Sequence, residues 1–416
     1  MECERIVAVV GGGASGMMAA IAAAETGVPV TIIEKNQRLG KKLLATGNGR
    51  CNLANVNLSA GNYHGCEHGF VLPVLARFGL ESTLDFFERI GVHHMVEDGG
   101  RVFPLSEQAG SVLDVLRWRL EELGVTVVLD SPVFRIGKGR RGYVLEMKGG
   151  KSLEAERVIL ATGGMAAPQL GADKSGLDLA RLMGHRLVKP FPALVPLKLS
   201  SKDLKGLKGV KFKGEASIVT GESEIRKEAG ELLFTEYGIS GPPVLSLSRD
   251  ANRHLLDGLV VMLRLDLFPH WSFSELEEIM TRRLELGKSK SLAFSMVGFV
   301  NKKMIPFVLR ESGIGDIHVA AGELTPEEVH SLVKTLKKWS FEVTGSTSWP
   351  NAQVAAGGVD ARDIDPETME SRLSPGLYFS GEMVDVDGDC GGYNLQWAWS
   401  SGHLAGTSAG KSCLIG

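Results

Sequence analysis

Gly11, Gly13 and Gly16 stand in the spacing G-x-G-x-x-G, and a carboxylate, Glu34, follows about twenty residues on. In that spacing the first glycine permits a tight turn, the second lets backbone approach a pyrophosphate, and the third lets a helix pack close on a strand. The acid is placed to accept hydrogen bonds from a ribose diol, and its charge disfavours a 2'-phosphate. A second set lies at 38–52, as Arg38-Leu39-Gly40-Lys41-Lys42-Leu43 and Thr46-Gly47-Asn48-Gly49-Arg50-Cys51-Asn52. Three glycines among so many polar groups suit an ordered loop lying against a ligand. Lys41, Lys42 and Arg50 can neutralise phosphate there, and backbone near Gly47 and Gly49 can meet a flat ring. A third set closes the chain: Gly381 and Glu382, the acids Asp385, Asp387 and Asp389, then Cys390-Gly391-Gly392-Tyr393-Asn394-Leu395.

The elements around these groups must deliver them to one place. Residues 6–10 are an apolar run that predicts a buried parallel strand ahead of the first glycines, and a helix is expected from there to about residue 26. Residues 30–33 predict the second strand, which ends at Glu34. Together these make a dinucleotide-binding βαβ unit, with the helix N-terminus offering N–H groups to phosphate. Further strands are expected at 92–96, 125–129, 133–136, 143–147 and 157–161, the last running into Thr162-Gly163-Gly164. Helices are expected over 70–90, 111–123 and 176–183. After Pro190, Pro192 and Pro196 the pattern alternates, with candidate strands at 210–213, 216–219 and 260–265. The run 237–243, rich in Gly and Pro, reads as a rigid turn. Ser272-x-x-Glu275 is a capping box, and Thr325 followed by Pro326 caps a helix whose Val329, Leu332, Val333 and Leu336 share a face. A strand is expected at 341–344. The strand near 376–380 enters an acidic glycine loop, read as a turn with Asx caps, and a helix follows over 394–405. Its start presents N–H groups beside Gly391 and Gly392 that suit a flavin carbonyl.

The chain has 416 residues, 44% hydrophobic and 23% charged, with a formal net charge of −3. That is enough for two or three domains, and no whole-chain field attracts nucleic acid or lipid. Five cysteines without CxxC or His-paired spacing exclude a disulfide scaffold and speak against zinc or iron–sulfur sites. No metal is expected. The first strand begins near Arg5 and no long uncharged apolar stretch follows, so a cytoplasmic protein without a membrane span is expected. Separate glycine-rich segments at 11–16, 40–52, 161–164 and 381–394 can surround one long ligand, which favours resident FAD over NAD. No second strand–GxGxxG–helix unit occurs in 190–345. A dedicated nicotinamide domain is therefore not expected, and electrons would come from the substrate, a transient NAD(P)H or a protein donor.

These motifs resemble a known family. The run from Val7 to Gly16 with Glu34 looks like a flavoprotein fingerprint. The 38–52 blocks resemble the bacterial HI0933-like, or aminoacetone-oxidase-like, NAD(P)/FAD-dependent oxidoreductases. Four further blocks agree: Gly100-Arg101-Val102-Phe103-Pro104, Pro192-Ala193-Leu194-Val195-Pro196-Leu197, Leu233-Phe234-Thr235-x-Tyr237-Gly238-Ile239-Ser240-Gly241-Pro242, and the run from Gly381-Glu382 through Trp397. The resemblance implies an α/β fold: a split Rossmann-like FAD-binding domain with a β-meander, interrupted by a barrel-like domain and a small helical domain. The expected boundaries are 1–190 with 346–416, 191–270 with 340–345, and 271–339. Carried over by position, Gly11, Gly13, Ala14, Ser15, Gly16, Glu34 and Lys35 bind the adenosine diphosphate part. Lys42, Gly49, Arg50, Cys51 and Asn52 approach the cofactor with Ala161, Thr162 and Gly163, while Gly381, Glu382, Gly392, Tyr393, Asn394 and Leu395 flank the ribityl chain and ring. The chain departs from the family pattern at Gly163-Gly164-Met165-Ala166-Ala167-Pro168, which lacks Ser-Tyr before the proline, and at Glu236, where histidine is common.

The expected activity is FAD-dependent redox chemistry on a small or medium organic substrate, placed between the FAD domain and the inserted β-rich domain. Tyr237, Ser240, Glu236 and Tyr393 are its candidate walls. The tyrosines pair a flat apolar face with a proton donor, and Glu236 suits an amine or acts as base if partly desolvated. Amine oxidation would suit Glu236, and reduction of an enone or oxidised heterocycle would suit a tyrosine. Cys390, ahead of a helix N-terminus, and Cys51 are candidate redox partners, with buried packing as the alternative. The lysines at 198, 202, 205, 208, 211 and 213 read as a solvated sheet face. The alternative is a flavin-containing binding or sensing protein, or a flavoenzyme reducing a base in RNA, with this basic run as its contact surface.

Overall fold

In the computed structural model, residues 5–66, 68–140, 142–201 and 204–415 are described. Cys3, Arg141 and Lys202 lie outside the described residues. Two compact units emerge, residues up to 191 with those from 353 onward, and residues 192–352.

The first unit is built on a five-stranded sheet, all parallel, in the order Leu377–Phe379, Arg157–Leu160, Val7–Val10, Val30–Ile33, Thr126–Val128. Val7, Val9, Ile32, Val158, Ile159 and Leu160 are fully or almost fully buried, as a parallel sheet covered on both faces requires. The helix Ala14–Ala24 follows the first strand. Its sequence, dominated by Ala and Gly with two methionines, is buried nearly all round. One side faces the sheet and the other the C-terminal helix, Tyr393–Ile415. Gly402, Gly406 and Gly410, one turn apart, meet Ser15, Ala19 and Thr26, and a Cβ on any of them would overlap those residues. Only hydrogen at these positions allows the two backbones to approach so closely. The expected helix over 394–405 thus runs ten residues further, to Ile415.

The strands expected at 133–136 and 143–147 form, as Val133–Lys138 and Tyr143–Met147, and a third strand, Lys151–Ala155, completes a three-stranded meander with them. The acidic block is not simply a capped turn. Val386–Gly388 is a strand, paired antiparallel with Tyr63–Gly65, and Asp385 and Asp387 are buried.

The second unit contains a closed antiparallel barrel in the order Leu197–Leu199, Gly238–Ser240, Ser223–Phe234, Lys211–Thr220, Met262–Asp266, Trp339–Ser346. Alternation is clear along Trp339–Ser346, where Trp339, Phe341 and Val343 point inward and Ser340, Glu342 and Thr344 are exposed. The strands expected at 210–213 and 216–219 are one strand, Lys211–Thr220. Gly214 does not break it; a Cβ there would press on the Asp266 carbonyl of the adjacent strand. The glycine–proline turn is also shorter than expected. Gly241, at φ +114°, ends the strand Gly238–Ser240, and Pro242 opens a helix, Pro242–Leu256. Proline is tolerated there because its missing N–H would be unpaired in the first turn. The expected capping box forms at Ser272 with Glu275, and the Thr325 cap is completed as a second box by Glu328. Between the helices Phe273–Leu286 and Pro326–Lys338 lie two short ones, Leu292–Ser295 and Ile305–Glu311. Barrel and helices share one hydrophobic cluster that includes Leu263, Leu265, Leu276, Met280, Leu332 and Phe341.

Alanine ordinarily stabilises a helix interior over glycine by about 1 kcal/mol. Gly406→Ala should do the reverse, because its methyl would meet the Ala19 backbone; overpacking of this kind costs about 1–3 kcal/mol. A lowered urea midpoint checks it, and an unchanged or raised midpoint would show that the two helices can separate without loss.

Burial pushes the His403 imidazole down to about 4, with its ring stacked on Phe78 at 4.1 Å. Burial also lowers His185, whose ring nitrogens meet the Ala180 carbonyl and Ser371 Oγ. The unfolded chain takes up these protons near pH 6.5, and the folded chain does so only at lower pH. Stability is therefore full above about pH 6.5 and falls as the pH drops towards 4, by on the order of 3 kcal/mol for His403. Denaturation midpoints at pH 7.5 and pH 5 should differ in wild type and differ less in His403→Leu.

Candidate active site

The first turn is held from several sides. Gly11, at φ +107°, crosses so close to the end of Arg157–Leu160 that a Cβ would press on Ala161 and Thr162. A methyl at Gly16 would overlap the Gly11 carbonyl, so helix and turn pack as the motif predicts. Gly13 differs: its φ is −79° and no atom lies within 4 Å of where its Cβ would be. Glu34, buried, accepts the Gly12 N–H at 2.6 Å on Oε2 and the Asn36 backbone and side-chain N–H groups at 2.7 and 2.6 Å on Oε1. A carboxylate has about four acceptor sites, so one remains on Oε2. Lys35 is ion-paired with Asp173 at 2.7 Å.

The 38–52 loop is tied to this turn by the Gly40 N–H, which donates to the Gly12 carbonyl at 2.8 Å. Arg50 does not present a bare charge to phosphate. It pairs with Glu97 at 2.6 Å and Glu107 at 3.2 Å, and its guanidinium lies 4.1 Å from the centre of the Phe103 ring. These contacts stiffen the loop instead. Gly49 is open, with a left-handed φ of +86°. Cys51 is fully buried, and desolvation pushes its thiol up to about 12. An activated thiolate needs the opposite shift, and the burial of Cys51 matches the packing alternative. Cys390 is half-buried, two residues ahead of the last glycine.

The last block is fastened by the C-terminal helix. Trp397 Nε1 donates to the Gly381 carbonyl at 3.1 Å, and the Gly381 N–H donates to Ser401 Oγ at 2.9 Å. Gly381, at φ +69°, abuts Ser15 in the first helix. Trp399 Nε1 donates to the Leu53 carbonyl at 3.0 Å. Asn55, buried, donates to the Gly391 carbonyl at 2.9 Å, and Gly392 sits so close to Ala54 and Asn52 that no side chain would fit. Asn394 does not face a ligand with a spare amide. Its Oδ1 accepts the Gly388 N–H at 2.8 Å and its Nδ2 donates to the Gly388 carbonyl at 2.7 Å. Leu395 packs on the core. Tyr393 is buried, edge-on to Tyr63, whose hydroxyl donates to the Tyr393 carbonyl at 3.0 Å.

Direct contacts thus join 11–16, 34, 39–42, 52–55, 161–164, 381–382 and 391–393 into one surface of the first unit. Sequence reasoning missed Asn55, Trp397 and Ser401 as its fasteners, although the i, i+4 spacing of the last two on a helix was available as a signal. Glu236, Tyr237 and Ser240 belong to the second unit. Glu236 is exposed and paired with Lys208 at 2.6 Å, and that hydrogen bond holds its carboxyl below the usual range. The desolvation that base action requires is absent. Tyr237 is 37% exposed, and its carbonyl accepts the Leu199 N–H.

Residues 5–408 match the HI0933-like protein Rossmann domain family. The chain belongs to this family. Among HI0933-like relatives it is 39% identical to the 3-dehydro-bile acid delta(4,6)-reductase of Clostridium scindens over 97% of this chain and 99% of that one. It is 31% identical to the ribosomal RNA dihydrouridine synthase of Escherichia coli, over 94% of this chain and 95% of that one. The fold is similar to that of 3-ketosteroid delta1-dehydrogenase from Sterolibacterium denitrificans, with a TM-score of 0.53 at 14% identity, over 98% of this chain and 99% of that one. The HI0933-like chain described here is an FAD-dependent oxidoreductase that works through the flavin ring. No helix among its described residues is long and apolar enough to cross a membrane.

The surface suits FAD on its own evidence. Gly13 leaves open space at a helix N-terminus, and Glu34 keeps an acceptor site. Asn52 Oδ1 and Thr162 Oγ1 are covered by protein, the first beside Gly392 and the second against Gly176. Gly163, at φ +75°, has no neighbour within 4 Å of a Cβ position.

Gly13→Ala and Gly16→Ala should therefore separate binding from folding. Gly13→Ala should melt like wild-type apoprotein yet lose FAD affinity, by a penalty of about 1–3 kcal/mol or roughly tenfold. Gly16→Ala should lower the melting temperature without ligand. Equal effects of the two on apoprotein melting would overturn this division.

Proposed function

We propose that this enzyme reduces a carbon–carbon double bond conjugated with a carbonyl in a small or medium organic molecule. The observation that carries the reading is the end-to-end similarity to two proteins whose names both describe hydrogen added across a ring double bond, a delta(4,6)-reductase and a dihydrouridine synthase. When bound, reduced FAD would supply the hydride to one carbon of such a bond, and a proton from solvent would complete the other. In this reading the turn at Gly11, Gly13, Ala14, Ser15 and Gly16 cradles the pyrophosphate, and Glu34 takes a ribose hydroxyl. Gly391 and Gly392 bring backbone against the ring. Electrons arrive from a transient NAD(P)H or a protein donor.

The barrel's basic run supports a small substrate over RNA. Lys208 pairs with Glu236, and Lys211 pairs with Glu231 at 3.1 Å. Two of its charges are thus balanced by acids on the same unit, and the whole chain is net negative. Counterion release from nucleic acid needs unbalanced cations.

The test is the oxidative half-reaction. FAD-loaded protein is reduced anaerobically with dithionite and mixed separately with a 4,6-diene-3-oxo steroid, a small cyclic enone, a uridine-rich RNA and a panel of amines. The conjugated carbonyl compounds should restore the oxidised flavin spectrum at least about tenfold faster than buffer, with a product heavier by two hydrogens. Selective reoxidation by the RNA would move the assignment to a base in RNA. Bleaching of the oxidised protein by amines, with no response to any unsaturated compound, would replace reduction by amine oxidation.

A further inference from the structure

Lys42 and Glu382 lie 340 residues apart in sequence, and Lys42 Nζ stands 2.6 Å from Glu382 Oε2. The other carboxylate oxygen, Oε1, accepts the Ala355 N–H at 2.8 Å. A Cβ on Gly164 would lie 3.0 Å from that same oxygen. Four segments therefore meet at one ion pair: the 38–52 loop, the glycines after Arg157–Leu160, the start of the strand Val354–Val359, and the turn after Leu377–Phe379. The two side chains are 31% and 20% exposed, so the pair is only partly screened by water. The backbone bond fixes the carboxylate, and the carboxylate in turn fixes where the ammonium stands. Glu382 cannot swing away without leaving the Ala355 N–H unpaired.

We propose that Lys42 and Glu382 act as one charge-setting unit for the bound flavin. Glu382 is the positioning residue. It holds Lys42 against the cofactor surface and offsets part of its charge, so the pair sets how strongly the protein favours the electron-rich reduced state. Charge close to a flavin ring tunes its electronics, and a positive charge favours reduction. The inference rests on the FAD-dependent reading of this surface and not on the identity of the substrate.

The experiment uses the full chain with FAD as the probe and needs no substrate. Midpoint potentials and FAD dissociation constants are measured for wild type, Lys42→Met, Lys42→Arg, Glu382→Gln and the double variant Lys42→Met with Glu382→Gln. Lys42→Met should move the potential to more negative values. Glu382→Gln retains the shape and the acceptor for Ala355, leaves Lys42 unbalanced, and should move it to more positive values. Lys42→Arg retains the charge and should stay near wild type. Each of Lys42→Met and Glu382→Gln should weaken FAD binding about fivefold, and the double variant should bind no worse than the weaker single one. The proposal is overturned if neither single variant shifts the potential, if both shift it in the same direction, if Lys42→Arg shifts it as far as Lys42→Met, or if the two losses of affinity multiply. Melting of each apoprotein identifies a variant that has lost its fold, in which case Lys42→Arg and Glu382→Gln, the near-isosteric changes, decide. A wild-type protein that takes up no FAD would instead refute the cofactor reading itself.

Discussion

The approach of the first helix to the last is the contact on which the rest of the architecture depends. Ala14–Ala24 carries the turn that faces phosphate, but alone it is a short Ala-rich helix with little side-chain area to anchor it. Gly402, Gly406 and Gly410 remove every obstruction on one face of Tyr393–Ile415, so backbone meets backbone along the whole of that short helix. Dispersion contacts accumulate where the atoms are densest, and small residues give the densest arrangement two helices can reach. Substituting larger apolar residues would add hydrophobic area and lose the approach.

From that seam the C-terminal helix also organises loops distant in sequence. Trp397 and Trp399, two residues apart, point their indole N–H groups at different carbonyls, Gly381 and Leu53. One buried helix thereby sets the spacing between the two sides of the cofactor surface. Such a surface is stiff for a simple reason: its loops are held by groups that are themselves fully buried.

The parts of this arrangement that follow from local chemistry were legible in the sequence. The βαβ unit, the helix caps at Ser272 and Thr325, the strands at 133–136 and 143–147 and the inward face of Pro326–Lys338 all rest on patterns that neighbouring residues complete among themselves. Pairings between distant segments were not. Nothing near Arg50 announces Glu97 and Glu107, so its charge read as available to phosphate. Asn394 read as a ligand contact, although its side chain closes the turn on Gly388, six residues before it. Glu236 and Cys51 lie at opposite extremes, the acid exposed and paired with Lys208 and the thiol fully buried. Burial of a single polar residue in a loop is set by tertiary structure, and residue type says little about it. The proline pair at 242–243 misled for a different reason, since the same residues that stop one element can open the next.

The order of elements along the chain has a consequence for biosynthesis. Residues 192–352 leave the ribosome as a complete unit, whereas the first unit then still lacks its edge strand and its last helix. At 5–20 residues per second, the 224 residues from 192 to 415 take roughly 11–45 s to appear. During that interval the nascent Ala14–Ala24 segment has no partner for its small-residue face, and the phosphate-facing turn has no completed pocket. Assembly of the cofactor surface is therefore a late event in the life of each chain, completed only once Tyr393–Ile415 has been made.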